Sequence, residues 1–175
     1  MKSYNSDTIV ALSTPSGSGA LGIIRLSGSQ SIPVVDKIFI GRNLFNSESH
    51  CACFGKIVDD ENIIDECVVT IFKGPQSFTG EDIIEITCHG SSYILNEVIQ
   101  LILKGGIRLA QPGEFTQRAF LNGKMDLTQA EAVADLIAAS TRGAARSALR
   151  SLQGDFSKRV ARLQAALTQF RVQVE

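Results

Sequence analysis

The apolar residues of this chain change period once, near Pro112, and two architectures follow from that change. Before it, short runs alternate with a period of two between Gly-, Ser- and Asp-rich turns; after it, apolar residues recur every three or four positions. Alternation builds a sheet with one face on a core, and the longer spacing builds helices that bury a stripe. An α+β region followed by an all-helical segment is therefore expected. With 175 residues there is room for one sizeable core and a helical appendage.

In the first region Thr8 to Leu12 and Leu21 to Leu26 read as strands joined by a Ser/Gly/Pro loop, with a short helix from Gln30 to Phe39. Phe54 to Val58 and Ile63 to Phe72 form a hairpin across the turn-prone Asp59-Asp60-Glu61-Asn62. Asp82 to Cys88 is a strand, Ile94 to Leu103 an amphipathic helix closed by Gly105-Gly106, and Ile107 to Ala110 a final strand. Pro112 suits a helix's first turn, Asn122-Gly123 a stop, and Thr128 with Glu131 a capping box that restarts a helix. Ala130, Val133, Ala134 and Ile137 keep helical spacing in that helix. A second stripe through Ala145, Leu149, Leu152, Phe156, Val160, Leu163, Leu167, Phe170 and Val174 predicts one helix of about 30 residues with no C-terminal cap. Such a stripe needs partner helices, and the chain offers one substantial neighbour, so a bundle that stops mid-architecture is expected.

The net charge of -1 supplies no global positive field, so any nucleic-acid contact must be local or come from a partner. No apolar run approaches the roughly 20 residues of a spanning helix, and the N-terminus lacks a signal-peptide layout, so a cytoplasmic protein without membrane contact is expected. Of the four cysteines, Cys67 and Cys88 stand apart, while Cys51 and Cys53 lie beside His50. Strand alternation is expected to send Cys51 away from His50 and Cys53, and a zinc site needs about four convergent ligands, so buried thiols and no metal are expected.

Gly17-Ser18-Gly19-Ala20-Leu21-Gly22 matches G-x-G-x-x-G, but that fingerprint works only where a helix opens directly after it. Here Ile23-Ile24-Arg25-Leu26 reads as strand, which makes the glycines a hairpin loop. No G-x-x-x-x-G-K-[ST] occurs, so this stretch holds no phosphate cradle of the P-loop kind.

Several charged side chains stand out. Arg25 shares a strand face with Leu21 and Ile23, and Glu85 shares one with Ile83 and Thr87. A charge embedded among apolar neighbours costs several kcal/mol unless it is partnered. Pairing with each other, or with Arg108, competes evenly with a ligand site. Lys124 sits in a turn between two helices, where it can meet a ligand carboxylate, although spacing alone favours a solvated lysine. Glu81 and Asp82 read as solvated acids or caps of local amides, and His89 as a strand-end histidine bonded to nearby backbone. Arg142, Arg146 and Arg150 recur every fourth residue, which on spacing alone is a solvated helix face.

The stretch PGEFTQRAFLNGKMDLTQAE from Pro112 to Glu131, with Phe78-Thr79-Gly80-Glu81-Asp82, His89-Gly90 and Asp7-Thr8-Ile9-Val10-Ala11, closely resembles the N-terminal part of the MnmE (TrmE) family of bacterial tRNA modification GTPases. The likeness runs from about Asp7 to the last residue. It implies that residues 1-117 form a folate-binding and dimerisation domain, a mixed sheet with an aminomethyltransferase-like shape. Residues 118-175 would open a helical domain whose continuation, and a GTPase domain using GTP, Mg and K, lie beyond Glu175. This stretch is then not expected to hydrolyse GTP itself. Positions matching Arg25, Glu85 and Lys124 bind a reduced folate in the family, 5-formyltetrahydrofolate or the methylene form. Glu85 suits the amino-pyrimidinone edge of the pterin, and Arg25 and Lys124 suit anionic or carbonyl groups. No catalytic residue is implied here.

The resemblance further implies a homodimer that works with the flavoprotein MnmG (GidA) on carbon five of the wobble uridine of certain tRNAs, the folate donating the one-carbon unit. Two positions depart from the family pattern: Ser18 stands where an arginine is usual, and Ser91-Ser92 replaces Gly-Pro after His89-Gly90, so serine can cap the next helix. The alternatives are a structural dimerisation module in which Arg25 and Glu85 simply pair, and a self-sufficient folate-dependent transferase.

Overall fold

The computed structural model describes residues 7–174, which divide into two units, one ending at Asn122 and one starting at Gly123. The first contains β1 (Ile9–Leu12), β2 (Leu21–Ser27), α1 (Ser31–Ile38), β3 (Phe39–Ile40), β4 (Cys51–Asp59), β5 (Asn62–Phe72), β6 (Ile83–His89), α2 (Ser92–Lys104), β7 (Arg108–Leu109) and α3 (Glu114–Leu121). The strands make one sheet in the order β3-β4-β5-β6-β2-β1-β7. Only β1 and β7 run parallel, so this is a mixed sheet in an α+β unit, as expected.

Alternation explains the layering. Ile24 and Leu26 of β2, Ile84 and Ile86 of β6, and Val69 and Ile71 of β5 point to one face, where they share a core with Val35 of α1 and Leu95, Val98 and Ile102 of α2. Fully burying each such side chain contributes about 1.5 to 3 kcal/mol, which anchors both helices to that face. Odd-numbered residues of β2 and β6 take the opposite face, among them Ile23, Arg25, Glu85 and Thr87, all half-buried. The chain leaves β2 for α1 through Gly28, at φ 130, where a Cβ would lie 2.8 Å from the Thr8 Cα. No L side chain fits that turn without strain.

The second unit contains α4 (Leu127–Ala138), α5 (Arg142–Leu152) and α6 (Asp155–Val174). Three expectations need correction here and at its entry. Pro112 lies before the first turn of α3, which opens at Glu114 behind Gly113 in the left-handed region. The capping box of α4 is Asp126 with Gln129, not Thr128 with Glu131: the Asp126 carboxylate accepts from the Gln129 backbone N–H at 2.8 Å, and the Gln129 side-chain Oε1 accepts from the Asp126 backbone N–H at 2.9 Å. The long stripe is two helices rather than one, because Gly154 adopts φ 78 between α5 and α6 and leaves the helical region.

Smaller differences concern the sheet and α2. The two-residue β3 is additional, and β4 starts at Cys51. Cys51 and Cys53 lie on the same side, their Sγ atoms 4.0 Å apart, because residues two apart on a strand share a face. Ser91 occupies the N-cap position of α2, yet its side chain makes no capping bond. Among the described residues no helix is long and apolar enough to cross a membrane.

Candidate binding site

Arg25 and Glu85 are register partners across β2 and β6. The Arg25 Nε donates to Glu85 Oε1 at 2.8 Å, and its Nη2 reaches the same oxygen at 2.7 Å. With 28% and 22% of their side chains exposed, both remain in touch with solvent. Both contacts fall on one carboxylate oxygen, and Glu85 Oε2 has no partner among the described residues. The Arg25 guanidinium also lies 5.6 Å from the ring centres of Phe78, in the loop after β5, and Phe115, on α3. Ring faces within about 6 Å attract a cation, and the guanidinium keeps edges for hydrogen bonds. The arrangement is a half-buried surface with a forked cation, an acceptor with capacity to spare, and two aromatic rings nearby.

Of the residues singled out from sequence, Arg25 and Glu85 are therefore brought together. Arg108 does not join them. Lys124 is exposed in the turn that opens the second unit, between α3 and α4. The glycine-rich loop before β2 is a hairpin connection, as expected, and runs straight into strand at Leu21. The Gly19 N–H donates to the Gly90 carbonyl at 2.9 Å and the Gly90 N–H donates to the Ala20 carbonyl at 3.1 Å, which ties this loop to the end of β6.

Beside Ser27, two residues beyond Arg25, lies an ionic cluster that sequence reasoning missed. Arg118 on α3, 4% exposed, donates through Nη2 to Glu114 Oε1 at 3.0 Å and to Asp7 Oδ1 at 2.9 Å. Its Nη1 reaches the Asp7 carbonyl at 2.7 Å and Glu81 Oε2 at 3.2 Å, and its buried Nε has no partner among the described residues. Arg108 grips Glu114 with two bonds, at 2.6 and 2.9 Å, and Asp7 with a third at 2.6 Å. The Arg108 bonds lead in holding Glu114 at about 2, with the Gln111 N–H and Arg118 adding to them against the effect of burial. The same Arg108 guanidinium lowers Asp7. Burial works against the Arg118 charge, but Glu114, Glu81 and Asp7 outweigh it and raise its pKa. Glu114 and Arg118, at i and i+4 on a helix, were the available signal.

That cluster corrects the reading of Glu81 as solvated: it takes bonds from Arg118 and from the Ser27 hydroxyl at 2.7 Å. Asp82 does cap a local amide, accepting from the Gly74 N–H at 2.9 Å. His89 is corrected too. Its Nδ1 lies 2.7 Å from Asp65 Oδ1, and its backbone N–H donates to Asp65 Oδ2 at 2.8 Å, so a buried carboxylate rather than backbone orients the ring. Asp65 is an acid at an inward position of β5, a signal visible in the alternation of that strand.

Two family models match the chain: the GTP-binding protein TrmE N-terminus over residues 8–124 and the MnmE helical domain over residues 127–175. The chain belongs to the MnmE (TrmE) family. It is similar to proteins named tRNA modification GTPase MnmE from Bacteroides thetaiotaomicron, 51% identical over 175 residues, and from Cytophaga hutchinsonii, 49% identical over 171 residues. A third, from Streptococcus thermophilus, is 47% identical over 169 residues. These alignments cover 97 to 98% of this chain and 37% of each relative, so the chain spans little more than a third of their length.

Proposed function

We propose that this chain is the folate-binding, dimerising N-terminal part of a tRNA modification GTPase, with Arg25, Glu85 and Lys124 as its folate contacts. The observation that carries the reading is a Glu85 Oε2 with no hydrogen-bond partner among the described residues, beside a guanidinium 5.6 Å from the ring centres of Phe78 and Phe115. The amino-pyrimidinone edge of a pterin presents two parallel donors, which suit a carboxylate with an unoccupied oxygen, and its flat ring suits the aromatic surface. Glu85 would hold the pterin and fix its orientation. Arg25, already seated on that carboxylate, would turn an edge toward a carbonyl or anionic group of the ligand, and Lys124 would meet another. The bound folate would supply a one-carbon unit.

In the longer protein, GTP hydrolysis with Mg and K in a further domain would drive a conformational step. The flavoprotein MnmG (GidA) would be the partner in cytoplasmic modification of carbon five of the wobble uridine. Homodimerisation is assigned to the first unit. Light scattering on residues 1–122, the first unit, should report a dimer, and a monomer at micromolar concentration would contradict it.

Titration calorimetry with 5-formyltetrahydrofolate tests the site. Arg25→Ala and Glu85→Ala are each expected to weaken binding by about 1.5 to 3 kcal/mol, the range for hydrogen bonds to charged groups. Unchanged affinity in both folded variants removes the assignment. One observation favours a second reading: Arg25 and Glu85 already satisfy each other at 2.7 Å, as a purely structural pair would. Under that reading wild-type protein shows no thermal shift with reduced folate, whereas binding raises the melting temperature.

A further inference from the structure

The overall charge of -1 conceals a separation along the chain. Residues 1–141 hold ten lysines and arginines against sixteen acids, whereas residues 142–171 hold seven against the single acid Asp155. Within that basic stretch α5 carries no acid at all. Arg142, Arg146 and Arg150 project from successive turns with a rise of about 6 Å between them. All three are exposed, and none has an ion pair among the described residues. The next row around the helix, about 100° further on, is Gly143, Ser147 and Ser151, so a low ridge with two hydroxyls runs alongside the guanidiniums. The opposite side is occupied by Ala144, Ala148 and Leu152, with Ala148 buried. Like charges at i and i+4 weaken a helix, and the three arginines repel one another unless an anion is present.

We infer that the arginine face of α5 docks the phosphate backbone of a folded RNA, an inference that rests on reading the chain as part of a tRNA-modifying protein. The guanidiniums grip phosphate oxygens in pairs, the serine hydroxyls donate to the same backbone, and Gly143 lets it come close. The seven basic residues concentrate a positive field locally that the net charge hides. A protein partner is disfavoured because interface centres are largely apolar and low in charge, whereas this face carries three guanidiniums, a single exposed leucine, Leu149, and no aromatic ring. A lipid surface is disfavoured because Leu149, exposed beside the row, is the one exposed large apolar side chain of α5 available to insert.

The test measures binding of unfractionated tRNA to the whole chain by fluorescence anisotropy across a salt series. The triple variant R142Q/R146Q/R150Q is expected to bind at least about tenfold more weakly at low salt, with the slope of log affinity against log salt reduced by about two to three. Arg42→Gln, which removes an exposed arginine of the first unit, should change neither. If the triple variant melts early, the three single variants replace it, each expected to lower the slope by about one. Wild-type affinity in the triple variant, or no salt-dependent tRNA binding by the wild type, overturns the inference. So does a triple variant that loses binding to vesicles of anionic phospholipid while keeping tRNA. Folate titrations of the same proteins separate the two readings: no folate binding with arginine-dependent tRNA binding intact removes the folate site and leaves this face standing.

Discussion

Arg118 and Glu114 face each other across one turn of α3 at 3.0 Å, with only 4% and 5% of their side chains exposed. From there Arg118 reaches Asp7 before β1 and Glu81 before β6, so one guanidinium ties α3 to two segments of the first unit. The Arg25–Glu85 pair borders this tie, because Phe115 lies on the same helix and Phe78 lies in the segment leading to Glu81. Removing one partner of a buried ion pair leaves uncompensated charge, which costs more than the pair contributes when intact.

Arg118→Met is therefore expected to destabilise the first unit by about 1 to 3 kcal/mol, since a largely buried Glu81 loses its guanidinium while Glu114 keeps Arg108. Arg118→Lys should recover only part of this, because one ammonium cannot reproduce the fork that reaches Glu114 and Asp7 together. Urea unfolding curves measure both. A loss below about 1 kcal/mol for the methionine variant would show the cluster to be incidental.

Acid stability follows from the same cluster. Glu114 titrates at about 2 in the folded chain, below its ordinary value of 4.5, so its contribution is complete above about pH 4.5 and is lost as pH falls toward 2. The contribution is on the order of 3 kcal/mol, and the lowered Asp7 acts in the same direction. Unfolding midpoints should fall steeply between about pH 4.5 and 2 in the wild type and more shallowly in Glu114→Gln. Parallel profiles for the two proteins would contradict this.

The stripe of α6 gives a prediction about the chain by itself. Leu163, Leu167 and Phe170 are 62%, 61% and 65% exposed, so Leu163→Gln and Leu167→Gln should each change stability by less than about 0.5 kcal/mol. The side chains of Phe156 and Val174, also on the expected stripe, lie outside those described. Amides from Val160 to Arg171 should exchange hydrogen faster than those of β6. Strong protection there in a dilute, monomeric sample would mean that one chain covers its own stripe.

Much of the fold was legible because it rests on period. The alternation of Leu21 to Leu26 and Ile63 to Phe72 located β2 and β5, and Gly105-Gly106 closed α2 as anticipated. Short-range signals failed where two registers fit equally well. Asp126 with Gln129 and Thr128 with Glu131 are both acceptable cap pairs, and the chain uses the first. Gly154 was hidden inside a continuing apolar stripe, since one glycine in helical spacing does not announce a positive φ. β3, at two residues, is too short to show a period.

The α+β and all-helical regions, the hairpin nature of the glycine loop and the need of Arg25 and Glu85 for partners follow from local pattern, because each depends on neighbours within a few residues. Which partners they took depended on contacts distant in the chain. Arg25 and Glu85 are 60 positions apart, Asp65 and His89 are 24 apart, and Arg118 and Asp7 are 111 apart. Strand order and register bring such charges within 3 Å, and these are set by the burial of the opposite face, where Ile24, Leu26, Ile84 and Ile86 pack against α1 and α2.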